Sequence, residues 1–410
     1  MMKKTKMKRV PKLRFPEFTD DWEQRKLSEV TSMHARIGWQ NLRTSEFLDS
    51  GDYMLITGTD FNDGAINFST CHYVERDRYE QDRNIQIHNG SILITKDGTL
   101  GKVAYVQGLS MPATLNAGVF NVQIKDANIV DEKYLFQYLK APFLMDYVGK
   151  KATGGTIKHL NQSILVDFPV ILPQKSEQIR IGAFFQQLDH LITLHQRKLE
   201  KLKELKKGLV QKLFSQEVRF KADDGSEFPK WEEKRLSGLF GKVIEKNRLD
   251  LPALTIIQGY GTIRRDESER KITYDEKGLK NYKAVQKDDF IVHLRSFEGG
   301  LEIANQDGIV SPAYHVYRGN DEVHPLFYYP YFRSSSFIKG KLAVCVTGVR
   351  DGKNIEMGAF DELLIPHPCL AEQQKIAECL SALDDVIEKQ KATLAAWEEL
   401  KKGLLQQMFV

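Results

Sequence analysis

The chain has 410 residues, of which 28% are charged and 41% are hydrophobic, an ordinary balance for a globular protein with room for two or three domains. Its formal net charge is only +4, which permits nucleic-acid binding without requiring it, because local clusters of cations matter more than the total. The four cysteines form no CxxC pair, so zinc fingers and disulfide frameworks are both disfavoured.

The cellular location is expected to be the cytoplasm. No window approaches the roughly 18 apolar residues that a membrane span needs. The basic start, Met1 to Lys12, is not followed by the apolar stretch of a secretory signal. Residues 1–19 are therefore expected to form a basic, flexible segment of a soluble intracellular protein.

Residues 20–172 are expected to form a first domain of mixed α and β structure. An apolar run, Ser91 to Lys96, continues through two glycines to Val103-Ala104, a pattern that predicts a buried strand, a glycine-containing turn and a second strand. Further predicted elements are strands around 53–57 and 119–124 and a short helix at 131–148.

A long helix is predicted over residues 173–217. It follows Pro173, which blocks an earlier start, and its first turn carries Glu177, where the helix dipole favours an anion. Apolar positions recur alternately every four and three residues, which is the spacing of a helix-packing seam. The seam positions are Ile181, Phe185, Leu188, Ile192, His195, Leu199 and Leu202.

The second half repeats this plan, with a domain at 218–367, including a strand around 314–317, and a helix at 368–410. Residues 173–214 and 368–409 share 16 identities in 42 ungapped positions at an offset of 195, far above what unrelated segments share. The preceding domains match more faintly, in Trp22-Glu23 with Trp231-Glu232 and in the strand Phe290 to Arg295. The chain is therefore an internal duplication.

The duplication predicts how the helices pair. Two similar halves pack most simply about a pseudo-two-fold axis, which would make the helices antiparallel and place the two domains at opposite ends. About 38 helical residues span about 55 Å at 1.5 Å per residue. Such a spacer between two divergent heads suits a protein that reads DNA as two half-sites, since half-sites on one face lie about 34 Å apart per turn.

Three polar or small residues on the helices need their own interpretation. Gly208 and Gly403 occupy equivalent positions. Because a helical glycine costs about 1 kcal/mol relative to alanine, they suggest either a close backbone approach or a frayed last turn. His195 lies on the seam, but its counterpart is Gln390, a poor metal ligand, so a polar position that sets the helix register is favoured over a metal site.

A family resemblance rests on several of these motifs together. It is carried by the Phe-Pro, Trp-Glu and Leu openings of both halves, the Pro…Glu-Gln helix starts and the Leu-Lys-Lys-Gly-Leu helix ends. The stretches His293 to Gly300 and Val310 to Tyr314 also contribute. In these features the whole chain resembles the specificity subunit of type I restriction–modification systems.

The resemblance implies an architecture, a function and partners. Each α+β domain would be a target-recognition domain that reads one half of a split DNA sequence. The helices would act as spacer and as docking platform for two modification (methyltransferase) subunits, which restriction subunits that translocate and cleave DNA would join. This chain would hold no cofactor and perform no catalysis, and the partner subunits would use S-adenosylmethionine, ATP and magnesium.

Candidate DNA contacts are cations, hydroxyls and glycine-rich turns, because these groups reach phosphates and base edges. The first domain offers the turn Lys96-Asp97-Gly98-Thr99 with Lys102 and the loop at 153–159, with Arg36 and Arg43 as weaker candidates. Within that loop the candidates are Thr153, Thr156, Lys158 and His159. Those of the second domain are Arg264, Arg265, Arg295, Ser296, Thr347, Arg350 and Lys353.

Two alternatives come from other functional classes. A stand-alone DNA-modifying enzyme should show a cofactor loop and an Asn/Asp-Pro-Pro-aromatic motif, whereas Asp167-Phe168-Pro169-Val170 lacks the second proline and the aromatic residue. A coiled-coil adaptor without sequence-specific DNA contact would explain the helices. It would not explain two large divergent domains with glycine loops that carry Lys and Arg.

Overall fold

The computed structural model describes residues 10–98, 100–151, 160–268, 276–293, 299–348 and 354–409. The chain divides into two compact units. Unit 1 comprises Met1–Gln196 and Thr393–Val410, and unit 2 comprises Arg197–Ala392. Both contain helices and strands, which confirms the predicted α+β class.

Unit 1 is built on two four-stranded sheets. Its described strands are β1 (Glu23–Lys26), β2 (Thr31–His34), β3 (Tyr53–Ile56), β4 (Phe61–Asn62), β5 (Ala65–Ile66), β6 (His72–Val74), β7 (Gln86–Ile87), β8 (Ile92–Thr95), β9 (Val103–Tyr105), β10 (Ala113–Leu115), β11 (Val119–Ile124) and β12 (Pro169–Leu172). The sheets run in the orders β6-β3-β10-β7 and β2-β11-β8-β9, while β1 pairs with β12 and β4 with β5. All pairings are antiparallel except β3 with β10.

The helices of unit 1 lie between and after these strands. They are α1 (Leu27–Val30), α2 (Arg76–Glu80), α3 (Glu132–Lys140), α4 (Phe143–Lys151) and α5 (Gln162–Leu165), followed by the long α6 (Lys175–Phe214), which runs on into unit 2. The single helix predicted at 131–148 is wrong, because α3 ends before Ala141-Pro142 and α4 starts after it. Proline disfavours the helical conformation of the residue before it.

Unit 2 repeats the central part of this plan. Its described strands are β13 (Glu232–Arg235), β14 (Phe240–Val243), β15 (Leu254–Ile257), β16 (Gly261–Arg264), β17 (Lys283–Val285), β18 (Phe290–His293), β19 (Glu302–Ile303), β20 (Gly308–Val310), β21 (Tyr314–Gly319), β22 (Val346–Thr347), β23 (Asn354–Ile355) and β24 (Leu364–His367). The sheet β14-β21-β18-β19 corresponds to β2-β11-β8-β9, and the pair β13-β24 to β1-β12. The helices are α7 (Leu236–Leu239), α8 (Pro325–Phe332), α9 (Met357–Asp361) and α10 (Leu370–Met408).

The strands β8 and β18, inside the corresponding sheets of the two units, begin with three apolar residues because both of their faces are covered. In β8, Ile92 and Ile94 belong to the cluster under the long helices, whereas Leu93 belongs to a second cluster on the opposite face. In β18, Val292 and Ile291 divide between two clusters in the same way. Alternate residues of a strand point to opposite faces, so the continuous apolar run predicted a strand buried on both sides.

Both long helices form where the repeat predicted them. On α6, the seam residues Ile181, Phe185 and Ile192 are buried, as are Ile376, Leu380 and Ile387 on α10. Among the described residues, no helix is long and apolar enough to cross a membrane.

Each unit contains the start of one long helix and the end of the other, and the two segments run antiparallel. In unit 1, Asp189 on α6 pairs with Lys401 on α10, while the His195 and Trp397 rings lie 6.2 Å apart. In unit 2, Lys206 pairs with Asp384. These two ion pairs are equivalent, because each residue of one lies 195 positions from its counterpart in the other. Residue numbers increase along one helix where they decrease along its neighbour, so the segments are antiparallel.

The close backbone approach lies at Gly182 and not at Gly208 or Gly403. A Cβ atom added to Gly182 would lie 2.8 Å from the Tyr134 nitrogen and 3.0 Å from the Asp131 carboxylate at the start of α3. One added to Gly208 or Gly403 would meet nothing within 4 Å. Both of those glycines lie inside continuous helix, so the alternative of a frayed turn is also wrong.

The start of each long helix is fixed by a buried carboxylate. In unit 1, Glu177 is 0% exposed and accepts hydrogen bonds from Arg14 (2.7 and 2.8 Å) and from the Trp22 indole (3.2 Å). In unit 2, Glu372 is 0% exposed and accepts from Arg219 (3.1 and 2.7 Å) and the Trp231 indole (2.9 Å). The Glu-Gln motif therefore does more than complement the helix dipole.

The neighbouring glutamines act in the same duplicated manner. Gln178 accepts from the Asp131 N–H at 2.9 Å and donates to the carbonyls of Ile129 and Pro173. Gln373 accepts from the His324 N–H at 2.8 Å and donates to the carbonyls of Glu322 and Pro368. Each glutamine thereby fixes the segment that leads into α3 or α8.

The expected flexible segment is anchored well before residue 19. Arg14 binds Glu177, and the Leu13 N–H donates to the Gln407 carbonyl at 3.0 Å. The basic composition of the segment predicted a solvated tail, and the long-range partner of Arg14 was not visible in the sequence.

Alanine substitutions at the open glycines should stabilise the protein. Gly208→Ala and Gly403→Ala should each raise the free energy of unfolding by about 1 kcal/mol, the difference in helix propensity. Gly182→Ala, at the third glycine of these helices, should lower it because its Cβ would overlap α3. Chemical denaturation followed by circular dichroism measures all three. A stabilising Gly182→Ala would contradict this packing.

Removal of the arginine of either anchor should destabilise its own unit. Arg14→Ala and Arg219→Ala each leave a buried carboxylate without its cation, at a cost of about 3 kcal/mol. Lys12→Ala, two residues from Arg14 and exposed, should change little. Hydrogen exchange resolved by peptide measures each unit separately, and equal protection in Arg14→Ala and Lys12→Ala would contradict the anchoring role of Glu177.

Candidate nucleic-acid interface

The turn at Lys96 gathers three segments of unit 1. The Lys96 N–H donates to the Gly118 carbonyl at 2.8 Å, which joins the turn to the connection between β10 and β11. The Lys96 carbonyl accepts from the Leu160 N–H at 2.9 Å. Leu160 therefore lies beside Lys96, and the predicted loop at 153–159, which precedes it in sequence, is outside the described residues. The Lys96 ammonium lies 5.5 Å from the centre of the Phe120 ring.

Lys102 stands on the other side of the same turn. Thr95 closes the turn, since its N–H donates to the Lys102 carbonyl at 2.9 Å and its hydroxyl accepts from the Lys102 N–H at 3.0 Å. Lys102 is exposed and Lys96 half-buried. Two of the predicted cations are therefore brought together on a closed turn.

Many of the predicted contact residues lie outside the described residues. They are Thr99, Thr153, Thr156, Lys158, His159, Arg295, Ser296, Arg350 and Lys353. Thr347 is described. It is exposed at the end of β22, and its hydroxyl donates to the Asn354 carbonyl at 3.4 Å.

The two arginines of the basic turn in unit 2 have partners within the protein. Arg264 pairs with Asp266 at 2.8 Å, and this hydrogen bond raises the pKa of its guanidinium while offsetting its charge. Arg265 lies 5.4 Å from the centre of the Tyr282 ring and donates to the Leu254 carbonyl at 3.3 Å. Both are at the base of the β15–β16 hairpin.

Arg36 was wrong as a DNA contact, because its side chain is 2% exposed. It donates to the carbonyl of Leu115 at 2.9 Å and to the side chains of Gln81 (3.0 Å) and Thr114 (3.3 Å). Burial lowers the pKa of this guanidinium. It serves as a polar tie within unit 1. Arg43 remains exposed.

Sequence reasoning missed a matching pair of exposed turns. β3 runs into Ile56-Thr57-Gly58-Thr59, and β15 runs into Ile257-Gln258-Gly259-Tyr260. Thr59, Gln258 and Tyr260 are all exposed. The two strands have corresponding parallel neighbours, since β3 pairs with β10 and Ala253, the residue before β15, bridges to Ile309 of β20. The signal was a four-residue match, Ile-X-Gly-X, at the ends of these strands, too short to detect without the strand positions.

A buried carboxylate holds each of these turns. In unit 1, Asp60 is 2% exposed and accepts from the Thr57 N–H (2.8 Å) and hydroxyl (2.9 Å). In unit 2, Glu302 is 6% exposed and accepts from the Gly259 N–H at 2.8 Å. Asp60 lies within its own turn, whereas Glu302 comes from β19. The same kind of restraint thus reaches both turns from different places in the chain.

A cavity of about 740 Å³ opens to solvent beside the turn in unit 2. Its lining includes Gly259 and Tyr260, with six cationic side chains and two carboxylates. The cations are Lys203, Lys206, Lys207, Arg333, Lys339 and Lys391. Asp384 and Glu388 pair with Lys206 and Lys391, and within the described part of the chain no ion pair joins Lys207 or Lys339 to a carboxylate. The surface beside the turn is therefore positive.

The sequence matches proteins of one kind. The family model "Type I restriction modification DNA specificity domain" matches twice, at residues 19–204 and 229–396. The putative type I restriction enzyme MjaX specificity subunit of Methanocaldococcus jannaschii is 26% identical over 412 residues, which cover 95% of this chain and 93% of that protein. The type I restriction enzyme MjaVIII specificity subunit of the same organism is 27% identical over 79% of each chain.

A solved structure shares the fold. The crystal structure of a type I restriction–modification system S subunit from M. genitalium aligns with a TM-score of 0.58 at 15% identity, covering 98% of this chain and 99% of that one. The two family matches lie on the two halves of the duplication and together span most of the chain. The chain therefore belongs to the family of type I restriction–modification DNA specificity proteins.

Proposed function

We propose that this chain is the sequence-specific DNA-binding subunit of a type I restriction–modification complex, with each recognition domain reading one half of a bipartite target. The observation that carries the proposal is the presence of two copies of the family's domain in one chain, each on the same central sheet. The copies differ in their exposed turns, Thr57-Gly58-Thr59 against Gln258-Gly259-Tyr260. Different reading groups imply two unlike half-sites.

Affinity would come from cations that contact DNA phosphates and do not discriminate between base sequences. Lys96 and Lys102 in unit 1, and Lys207 and Lys339 in unit 2, are lysines placed beside the exposed turns, where they can contact phosphates. Phosphate contacts position a protein on the duplex without reading its sequence. The exposed turns would then supply the discrimination.

The long helices would set the gap between the half-sites and dock two modification subunits. Each unit carries the same exposed apolar pair on its helices, Leu191 with Leu400 in unit 1 and Val386 with Leu205 in unit 2. Leu205 is 61% exposed and Leu400 47%. Apolar residues exposed at equivalent positions of both units provide two similar candidate contacts, and two similar contacts suit two copies of one partner.

Catalysis would belong to the partner subunits. Burial raises the pKa of the Cys71 thiol to about 12, so this thiol stays protonated at neutral pH and is a poor nucleophile. Methylation would use S-adenosylmethionine, and translocation and cleavage would use ATP and magnesium, all held by those subunits.

Genome-wide mapping of methylated adenines tests the two-headed function. Co-expression with modification subunits should give a two-part motif with a fixed gap, because each unit reads one half. Exchange of residues 231–365 for the equivalent domain of a relative should change the second half alone. Single-molecule sequencing measures both motifs.

The unexchanged chain is the control for the exchange, and the chain without modification subunits is the control for activity. A single contiguous motif would mean that one unit is not a reader and would favour the coiled-coil adaptor. Methylation by the isolated chain would favour a stand-alone enzyme.

The twin docking surfaces predict a stepwise loss of partners. Leu400→Asp and Leu205→Asp should each reduce the number of bound modification subunits from two to one, because each places a charge in one of two apolar contacts. The double variant should bind none. Native mass spectrometry of the purified complexes measures this stoichiometry.

Ile244→Asp provides the control, since Ile244 is 79% exposed but lies on β14–β15 connecting chain and not on a long helix. It should leave both modification subunits bound. Retention of two subunits by the double variant would show that the partners dock elsewhere.

A further inference from the structure

We propose that the β15–β16 hairpin of unit 2 enters the DNA major groove and that Gln258 at its tip reads an adenine of the second half-site. This inference rests on the proposed function and assigns one side chain to one base. Thr59, on the matching turn of unit 1, is the corresponding specificity residue for the first half-site.

The hairpin has the dimensions of a groove-reading element. β15 and β16 pair over four residues each, from Leu254 opposite Arg264 to Ile257 opposite Gly261, so the ribbon is about 14 Å long at about 3.4 Å per residue. The tip is Gln258-Gly259-Tyr260, closed by a hydrogen bond of 3.0 Å from the Tyr260 N–H to the Ile257 carbonyl. The major groove, about 12 Å wide, admits a two-stranded ribbon of this kind.

The backbone of the tip is held by the buried carboxylate of Glu302 and by the exposed amide of Asn305. Glu302 accepts from the Gly259 N–H at 2.8 Å and is itself held by the Tyr329 hydroxyl at 2.9 Å and by Arg333. Asn305 donates to the Tyr260 carbonyl at 2.8 Å. Gly259 and Gly261 have φ of +84° and +99°, which other residues adopt only with strain. These restraints hold a surface turn in one conformation.

The side chains on this tip are accessible to a ligand, although the Gln258 amide lies against Gly299, where an added Cβ atom would be 2.1 Å from its nitrogen. Gln258 is exposed and Tyr260 is 63% exposed. A large exposed aromatic beside an amide, on a backbone held by a buried carboxylate, is an arrangement that stability does not require. Glutamine pairs with the N6 and N7 atoms of adenine through two hydrogen bonds. Preorganisation of the tip lowers the entropy lost when that pair forms.

The charges near the tip also favour DNA. Gly259 and Tyr260 line the same cavity as the exposed lysines Lys207 and Lys339. The phosphates of a DNA strand that runs along the tip would place negative charge against these ammonium groups. Unit 1 has the equivalent arrangement, since a Cβ atom added to Gly58 would lie 3.4 Å from Thr95, the residue before Lys96. Both turns thus combine a rigid backbone, exposed reading groups and adjacent lysine.

The test compares Gln258→Ala with Thr59→Ala in the complete complex with modification subunits and S-adenosylmethionine. Gln258→Ala should relax one adenine position of the second half-site and leave the first half unchanged. The loss of discrimination should be roughly 5- to 150-fold, which corresponds to about 1–3 kcal/mol for a bidentate pair. Thr59→Ala should relax the first half alone. Methylome sequencing, with methylation rates on duplexes that carry each base at that position, gives the readout.

Two further variants separate reading from folding and from assembly. Glu302→Gln keeps the shape but removes the charge that holds the tip and Arg333, so it should lower discrimination at the same position. Ile244→Ala, exposed in the same unit and outside the hairpin, should preserve the motif. Thermal unfolding and native mass spectrometry of each variant check that fold and subunit number are unchanged.

The outcomes distinguish failure of the proposed function from failure of the hairpin's role in recognition. A wild-type complex without a bipartite motif would overturn the proposed function itself. A wild-type bipartite motif that Gln258→Ala leaves intact would overturn only the role of the hairpin. Loss of bound modification subunits in Gln258→Ala or Tyr260→Ala, with DNA discrimination retained, would assign the tip to a protein partner and overturn the inference.

Discussion

Each long helix carries an apolar stripe that must be covered, and this requirement organises the rest of the molecule. A helix of 40 residues with a one-sided stripe is stabilised mainly by what packs on that stripe. In each unit the start of one helix and the end of the other lie together over the central sheet. Phe409 stacks on Phe185 at 5.7 Å in unit 1, and Phe214 lies 5.4 Å from Phe327 in unit 2. Phe409 therefore completes the core of unit 1 although it comes directly after the second domain in sequence. Phe214 completes the core of unit 2 although it comes directly after the first.

The chain order gives the two units unequal routes to this core. Unit 2 is continuous, from Arg197 to Ala392, so all of its core residues are present before the chain is complete. Unit 1 takes Leu405, Met408 and Phe409 from the far end of the chain. Its core closes only when the last helical turn has been made. The bond from Leu13 to Gln407 then joins the two ends of the described chain within one unit.

The elements that could be predicted are those with a local, periodic signal. The helix seams repeat over many turns, and β8 and β18 begin with apolar runs, so the local pattern was sufficient. The anchor of Glu177 could not be predicted, because Arg14 lies 163 positions away and an isolated basic residue near a terminus is usually solvated. Arg36 was misassigned for a related reason. An arginine in a polar loop suggests a surface, and only the fold shows that carbonyls and amide groups surround it.

The residues of the candidate site also differ in whether a local sequence signal identifies them. Lys96 and Lys102 were predictable, because cations beside glycines on a turn after a buried strand are accessible almost wherever the strand lies. The turn at Gln258 was not, because its meaning depends on Glu302, 44 positions further along the chain, and on the equivalence of β15 with β3. Gly182 shows the same limit among the glycines. Its role comes from α3 passing close to it, whereas the repeated and therefore conspicuous Gly208 and Gly403 face open space.

The restraint of the exposed turns from below has a consequence for how such a protein can change its target. The backbone at Gly259 is held by Glu302, Asn305 and the glycine conformation, and none of these bonds involves the Gln258 side chain. In unit 1, Asp60 likewise holds the backbone beside Thr59, whose side chain is exposed. A substitution at Gln258 therefore changes the group presented to a ligand while these backbone restraints remain. One at Thr59 also removes the hydroxyl contact to Thr57 (2.7 Å) but leaves the bonds from Thr57 to Asp60. A substitution that removes the carboxyl group of Glu302 or Asp60 would instead leave a part-buried backbone N–H without its acceptor, which destabilises the turn. Stability constrains the residues under the turn, and the residues on it are left for recognition.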